Sequence, residues 1–141
     1  LMEAEALNEL GEAHLKQALS LVNKTYMRAN PSLTDSLSIV DYGNVEAMRE
    51  LVLLERQREF MFEGKRWFDL VRMVNKGEPI FKLTTIVRRK FNMEEGAEIL
   101  AVSKMSKMDA LYFPILQDEI LSNELLEQNP FYQLEETSAK N

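Results

Sequence analysis

The sequence predicts a mainly α fold: a short helical hairpin, one long helix and a less regular C-terminal part. Two observations carry this. Apolar residues recur at three- and four-residue steps in residues 1–29 and again in 46–75, the spacing that gathers side chains along one side of a helix. Pro31, Gly43, Gly77 and Pro79 stand at the edges of these stretches, where helices stop and start.

The first element is a hairpin. Leu1 to Leu10 and Ala13 to Ala29 read as two helical segments around Gly11, which suits a left-handed helix end and a sharp reversal. In the second segment Leu15, Ala18, Leu19, Val22 and Tyr26 share one face. Two antiparallel helices with a tight turn are the unit of tetratricopeptide-like arrays. Asn30-Pro31 ends the second helix, because the residue before Pro disfavours helical geometry. Ser32 to Asn44 reads as a linker, with Asn44 placed to cap the next helix.

Glu46 to Asn75 reads as a single helix, ended by Gly77 and Pro79. Met48, Val52, Glu55, Glu59, Phe62 and Arg66 fall near one line on it. Leu51, Leu54, Met61 and Phe68 form a second stripe, and Leu53, Phe60, Trp67 and Val71 a third. Apolar residues on several sides mean packing on more than one face. Glu55, Glu59 and Arg66 are then expected to be partly buried and paired as a structural charge network, since an unpaired buried charge costs several kcal/mol. Gly64 costs about 1 kcal/mol inside a helix and calls for a close crossing or a kink.

Beyond Phe81 the pattern is weaker. Lys82 to Lys90 is open between strand and helix, with Leu83, Ile86 and Val87 favouring a helical turn. Glu94-Glu95-Gly96 reads as a turn, Leu111 to Ile115 as a short extended piece, and Gln117 to Glu127 as a short helix closed by Asn129-Pro130. Residues 135–141 read as a polar tail.

Composition narrows the function classes. A net charge of −6 argues against a nucleic-acid binder, and the small Arg88-Arg89-Lys90 cluster reads as solvated surface. The absence of Cys removes disulfides, thiolate nucleophiles and Cys-ligated zinc. No apolar run approaches the roughly 20 residues of a membrane-spanning helix.

Each candidate for chemistry has a plainer reading. Trp67, the only Trp, could stack on a sugar ring, but its densely apolar neighbourhood favours core packing. Glu55, Glu59, Glu63 and Asp69 offer carboxylate pairs of the kind glycosidases use. Glu55 and Glu59 lie one turn apart on one helix, however, and cannot flank a bond from two sides. His14 has Glu9 and Glu12 nearby but no second His or Cys for a metal site, and reads as an exposed helix residue. Met105 and Met108 read as core filling. No cofactor motif is present: the sequence has no phosphate-cradling Gly-rich loop and no nucleophile elbow.

Four segments together resemble the SusD/RagB family of outer-membrane nutrient-binding lipoproteins. Glu5-Ala6-Leu7-Asn8-Glu9-Leu10-Gly11, with Ala18-Leu19 and Asn23 to Ala29, is similar to that family's last tetratricopeptide-like hairpin. Leu54-Glu55-Arg56-Gln57-Arg58-Glu59-Phe60 resembles its Glu-Arg-Arg-Glu-Leu helix. Glu63-Gly64-Lys65-Arg66-Trp67-Phe68-Asp69-Leu70-Val71-Arg72 resembles its most recognisable run. Phe113-Pro114-Ile115, Gln117-Asp118-Glu119-Ile120 and Gln128-Asn129-Pro130 resemble its C-terminal ending, with Leu116 and Phe131 replacing the usual Pro and Gly.

The resemblance implies that residues 1–141 are the C-terminal helical region of a longer protein. It implies a non-catalytic surface lipoprotein of the outer membrane, anchored only through a lipid upstream of this chain. Such a protein binds a glycan or other oligomeric nutrient and delivers it to a SusC-like TonB-dependent transporter. The competing reading is a tetratricopeptide-like adaptor that binds a peptide or protein partner. A truncated first helix also predicts an apolar strip of Leu1, Ala4, Leu7 and Leu10, exposed or covered by a second copy.

Overall fold

The structure is a computed structural model that describes residues 1–89 and 97–133. It is mainly α, with no strand among the described residues. The helices are α1 (Met2–Glu9), α2 (Leu15–Ala29), α3 (Val45–Glu59), α4 (Arg66–Asn75), α5 (Ile80–Arg88), α6 (Ala97–Lys104) and α7 (Gln117–Ser122). The chain forms two compact units, Leu1–Asp69 and a second that begins at Leu70, so the division falls inside α4.

The first unit is a three-helix core. The apolar face read on α2 is the buried one: Leu15, Ala18, Leu19 and Val22 are all sequestered. They pack with Ala4 of α1 and with Met48, Leu51 and Val52 of α3. Gly11 separates α1 from a 3-10 turn, Glu12–His14, that leads into α2. Its φ of +104° is a backbone state that a side chain would strain. The expected exposed strip on α1 is mostly covered from within. Ala4 is fully buried, Leu1 and Leu7 pack against the core, and of the four only Leu10 stays exposed. The linker before α3 also packs on this core, through Leu37, Ile39 and Tyr42.

Side-chain amides fasten this unit where the backbone lacks helical partners. The Asn23 amide donates to the Leu37 carbonyl at 3.0 Å and accepts from the Leu37 N–H at 2.9 Å, pinning the linker to α2. Buried Asn8 donates to the Val45 carbonyl at 3.1 Å, tying α1 to the start of α3. The Asn44 side chain accepts from the Ala47 N–H at 2.8 Å and caps α3. Across the surface, Arg49 of α3 holds Glu9 of α1 at 3.0 Å.

The segment 46–75 is two helices rather than one. The chain leaves α3 after Glu59, turns through residues 60–65 and re-enters a helix at Arg66. Phe62 and Gly64 both carry left-handed backbone, at φ +68° and +71°. Gly64 therefore serves the turn between α3 and α4. A methyl group built there would meet nothing within 4 Å, so no close helix crossing requires the glycine.

The second unit has a sparser interior. Leu70, Val71 and Val74 of α4, Leu83 and Thr84 of α5, and Leu111 are its buried residues among those described. Residues 82–88 resolve as the body of α5, with Leu83 inward, and Lys90 lies outside the described residues. Met108–Leu111 form a 3-10 turn, and residues 112–116 run on without regular hydrogen-bonded structure. Helix α7 stops at Ser122, five residues short of the expected Glu127. Beyond it, the Gln128 side chain replaces helical pairing. It accepts from the Ile115 N–H at 2.9 Å and donates to the Ile115 carbonyl at 2.8 Å, as a neighbouring strand would. Asn129 accepts from the Phe131 N–H at 3.0 Å and starts a helical turn at Pro130. The Glu94-Glu95-Gly96 turn and the 135–141 tail lie outside the described residues.

Candidate functional site

The densest polar geometry in the first unit is the corner between α3 and α4. Two contacts define it, each spanning 13 residues. In a continuous helix that separation is a rise of about 20 Å, far beyond side-chain reach. Because the helix breaks at residues 60–65, Arg56 and Asp69 instead face each other. Arg56 Nε donates to Asp69 Oδ2 at 3.0 Å and Nη2 to Oδ1 at 2.8 Å. This parallel fork is the strongest form of a charged hydrogen bond. Both residues are buried, at 7% and 3% exposure. Losing either partner would leave the other charge uncompensated, at a cost of about 3 to 5 kcal/mol.

Arg66 is the second tie. Its Nη1 donates to the Leu53 carbonyl at 3.0 Å. Burial pushes its guanidinium below the ordinary arginine value, and the nearby Asp69 carboxylate opposes that shift.

Two cations lie over the Phe60 ring at the start of the turn. The Arg56 guanidinium carbon lies 5.1 Å from the Phe60 ring centroid and Lys65 Nζ lies 4.4 Å from it. Both are within the range where the negative face of the ring attracts a cation. Lys65 also pairs with Glu63 at 2.6 Å. Met61 and Phe62 project from this turn into solvent.

The four carboxylates singled out from sequence each meet a separate cation. Glu55, buried at 2% exposure, accepts from Arg58 at 3.2 Å. Glu59 pairs with Arg28 of α2, and this contact raises the Arg28 guanidinium above its ordinary value. Glu63 holds Lys65, and Asp69 holds Arg56. Glu55, Glu59 and Arg66 thus stand around one corner but do not bond to one another. Glu55 and Glu59 lie one turn apart on α3, so that pair cannot flank a bond from two sides.

Trp67 is half-buried near the start of α4. His14 ends the 3-10 turn before α2 and is half-buried rather than exposed. Met105 is half-buried, whereas Met108 is exposed and does not fill a core. Among the described residues no three His, Cys, Asp or Glu side chains group as a metal site. No described helix is long and apolar enough to cross a membrane.

Sequence reasoning missed Arg56 as the buried partner of Asp69. On a continuous helix the two sit on different turns, so the pairing is invisible until the break at residues 60–65 is recognised. The signal was the Phe62-Glu63-Gly64 triplet, with a glycine in a run otherwise suited to helix.

Comparison with known proteins places this geometry. The SusD family profile matches residues 1–132, which include the hairpin, the corner and the Gln128 clip. The chain is 30% identical over 135 residues to the SusD-like protein P38 of Formosa agariphila, covering 94% of this chain and 22% of P38. It is 36% identical over 75 residues to the SusD-like protein P2 of the same organism, covering 52% of this chain and 15% of P2. The chain thus spans less than a quarter of the length of these relatives. No solved structure matches it significantly. With the profile covering nearly its whole length, the chain belongs to the SusD family.

Proposed function

We propose that this chain is the C-terminal helical region of a surface lipoprotein that captures a glycan or other oligomeric nutrient. The protein passes its cargo, chemically unchanged, to a SusC-like TonB-dependent transporter in the outer membrane. The observation that carries this reading is the SusD family match over residues 1–132. That match takes in the hairpin as well as the corner, and so does not favour a separate peptide-binding adaptor. In this reading Glu55, Glu59 and Arg66 belong, with Arg56 and Asp69, to the framework that sets the α3–α4 corner. The Trp67 ring, half-buried, serves that framework rather than offering an open platform to a sugar. The membrane is reached through a lipid anchor outside this chain.

The test is calorimetric titration of the full-length protein with a panel of oligosaccharides, together with co-purification from outer membranes. Saturable binding of an oligosaccharide that is recovered intact, with a TonB-dependent transporter in the same complex, is the expected outcome. A full-length protein that binds none of the panel and cleaves or ignores it would sink the proposal.

A further inference from the structure

We propose that residues 32–44, the segment between α2 and α3, form a strap that opens as a unit while the three-helix core stays closed, and that Asn23 is its latch. The open strap is where a protease first cuts this unit.

The middle of the strap is tied to α2 through one side chain. The Asn23 carboxamide donates to the Leu37 carbonyl at 3.0 Å and accepts from the Leu37 N–H at 2.9 Å. The other described hydrogen bonds of residues 34–43 stay inside the segment. The Asp41 N–H donates to the Ser38 carbonyl and the Val40 N–H to the Ser38 hydroxyl, both at 3.2 Å. Leu37, Ile39 and Tyr42 pack on the core but are only half-buried, and Val40 is 87% exposed. The core residues Leu15, Val22, Met48 and Val52 are at most 4% exposed. A segment with little buried apolar surface and few hydrogen bonds opens more readily than the core beside it.

The ends of the strap are fixed by contacts that do not pass through its middle. The Asn30 side chain donates to the Tyr26 carbonyl at 2.8 Å, at the close of α2. Asn44 caps α3 through the Ala47 N–H, and buried Asn8 holds the Val45 carbonyl. Helices α2 and α3 therefore keep their ends, and the buried cluster they share with α1, when the middle lifts. Cleavage of a transiently opened segment follows the population of its open form. Asn23 sets that population, because both polar groups of Leu37 depend on it.

The test is hydrogen exchange, read by mass spectrometry, on the full-length protein. At low denaturant the Leu37 amide should exchange at least about tenfold faster than the Val22 and Met48 amides. Asn23→Ala should speed Leu37 by about a further tenfold and leave the other two as they were. Thermolysin should make its first cut in this unit within residues 32–44, and make it sooner in the variant. Equal rates at Leu37 and Val22 in the unaltered protein overturn the strap, and need no variant to fold. Leu37 exchange that Asn23→Ala does not move overturns the latch. Acceleration at Val22 and Met48 together with Leu37 means that strap and core open as one, which also overturns the proposal. A first cut inside α1, α2 or α3 does the same.

Discussion

The two units of this chain reach order by different routes. In the first, three helices share a contiguous buried cluster, and amide side chains and a buried Arg–Asp fork fasten what the helices leave loose. In the second, fewer described residues are buried, and order comes from single side chains that bond to the backbone of distant loops. Gln128 grips both polar groups of Ile115, Asn129 donates to the Asp109 carbonyl at 2.8 Å, and Tyr112 meets Asn75 at 2.7 Å. Phe81, Ile99, Leu100, Leu121 and Leu125 remain exposed there. The lesson is that periodic apolar residues specify a unit whose helices are long enough to bury a face. The clips of both units, Asn8 and Asn23 in the first and Gln128 and Asn129 in the second, leave no periodicity in the sequence.

The sharpest way to break the first unit is Asp69→Ala. It strands Arg56 in a buried position and should cost about 3 to 5 kcal/mol in chemical denaturation. Replacing both residues by apolar side chains of similar volume should recover most of that loss. If the single variant is neutral, the fork does not hold the corner.

In the second unit, Gln128→Ala removes both bonds to Ile115. The expected loss is about 1 to 2 kcal/mol, seen as faster hydrogen exchange at the Ile115 amide. Exchange at the Val22 and Met48 amides should stay as it was. Acceleration at those positions would mean that the two units open together, which would erase the contrast between them.

The smallest effect is Asn44→Ala at the start of α3, expected at about 1 kcal/mol from the lost cap to the Ala47 N–H. Helicity measured by circular dichroism should fray at that end alone.

These particular residues also show how far the sequence could be read. The α2 face of Leu15, Ala18, Leu19 and Val22 was legible because a 15-residue helix repeats its pattern over several turns. The Asn44 cap and the Asn30-Pro31 stop were legible because each is a local rule of backbone geometry. The break of 46–75 was not, since it depends on Phe62 and Gly64 adopting left-handed backbone, which the spacing of apolar residues does not reveal. The packing of Leu37, Ile39 and Tyr42 on the core was missed because they lie in a linker without periodicity. Helix α6 carried no signal strong enough to be read.

The sequence alone determined that the chain is mainly helical, that α1 and α2 form a hairpin around Gly11, and that its motifs resemble those of the SusD/RagB family. All three depend on residues close together in the chain or on motifs read directly from it. Only the tertiary structure decided that Arg56 meets Asp69, that Arg66 reaches back to Leu53, and that Phe62 is thrust outward. Those facts turn on the direction the chain takes after the break at residues 60–65, and that break brings together residues whose spacing along a straight helix would keep them about 20 Å apart.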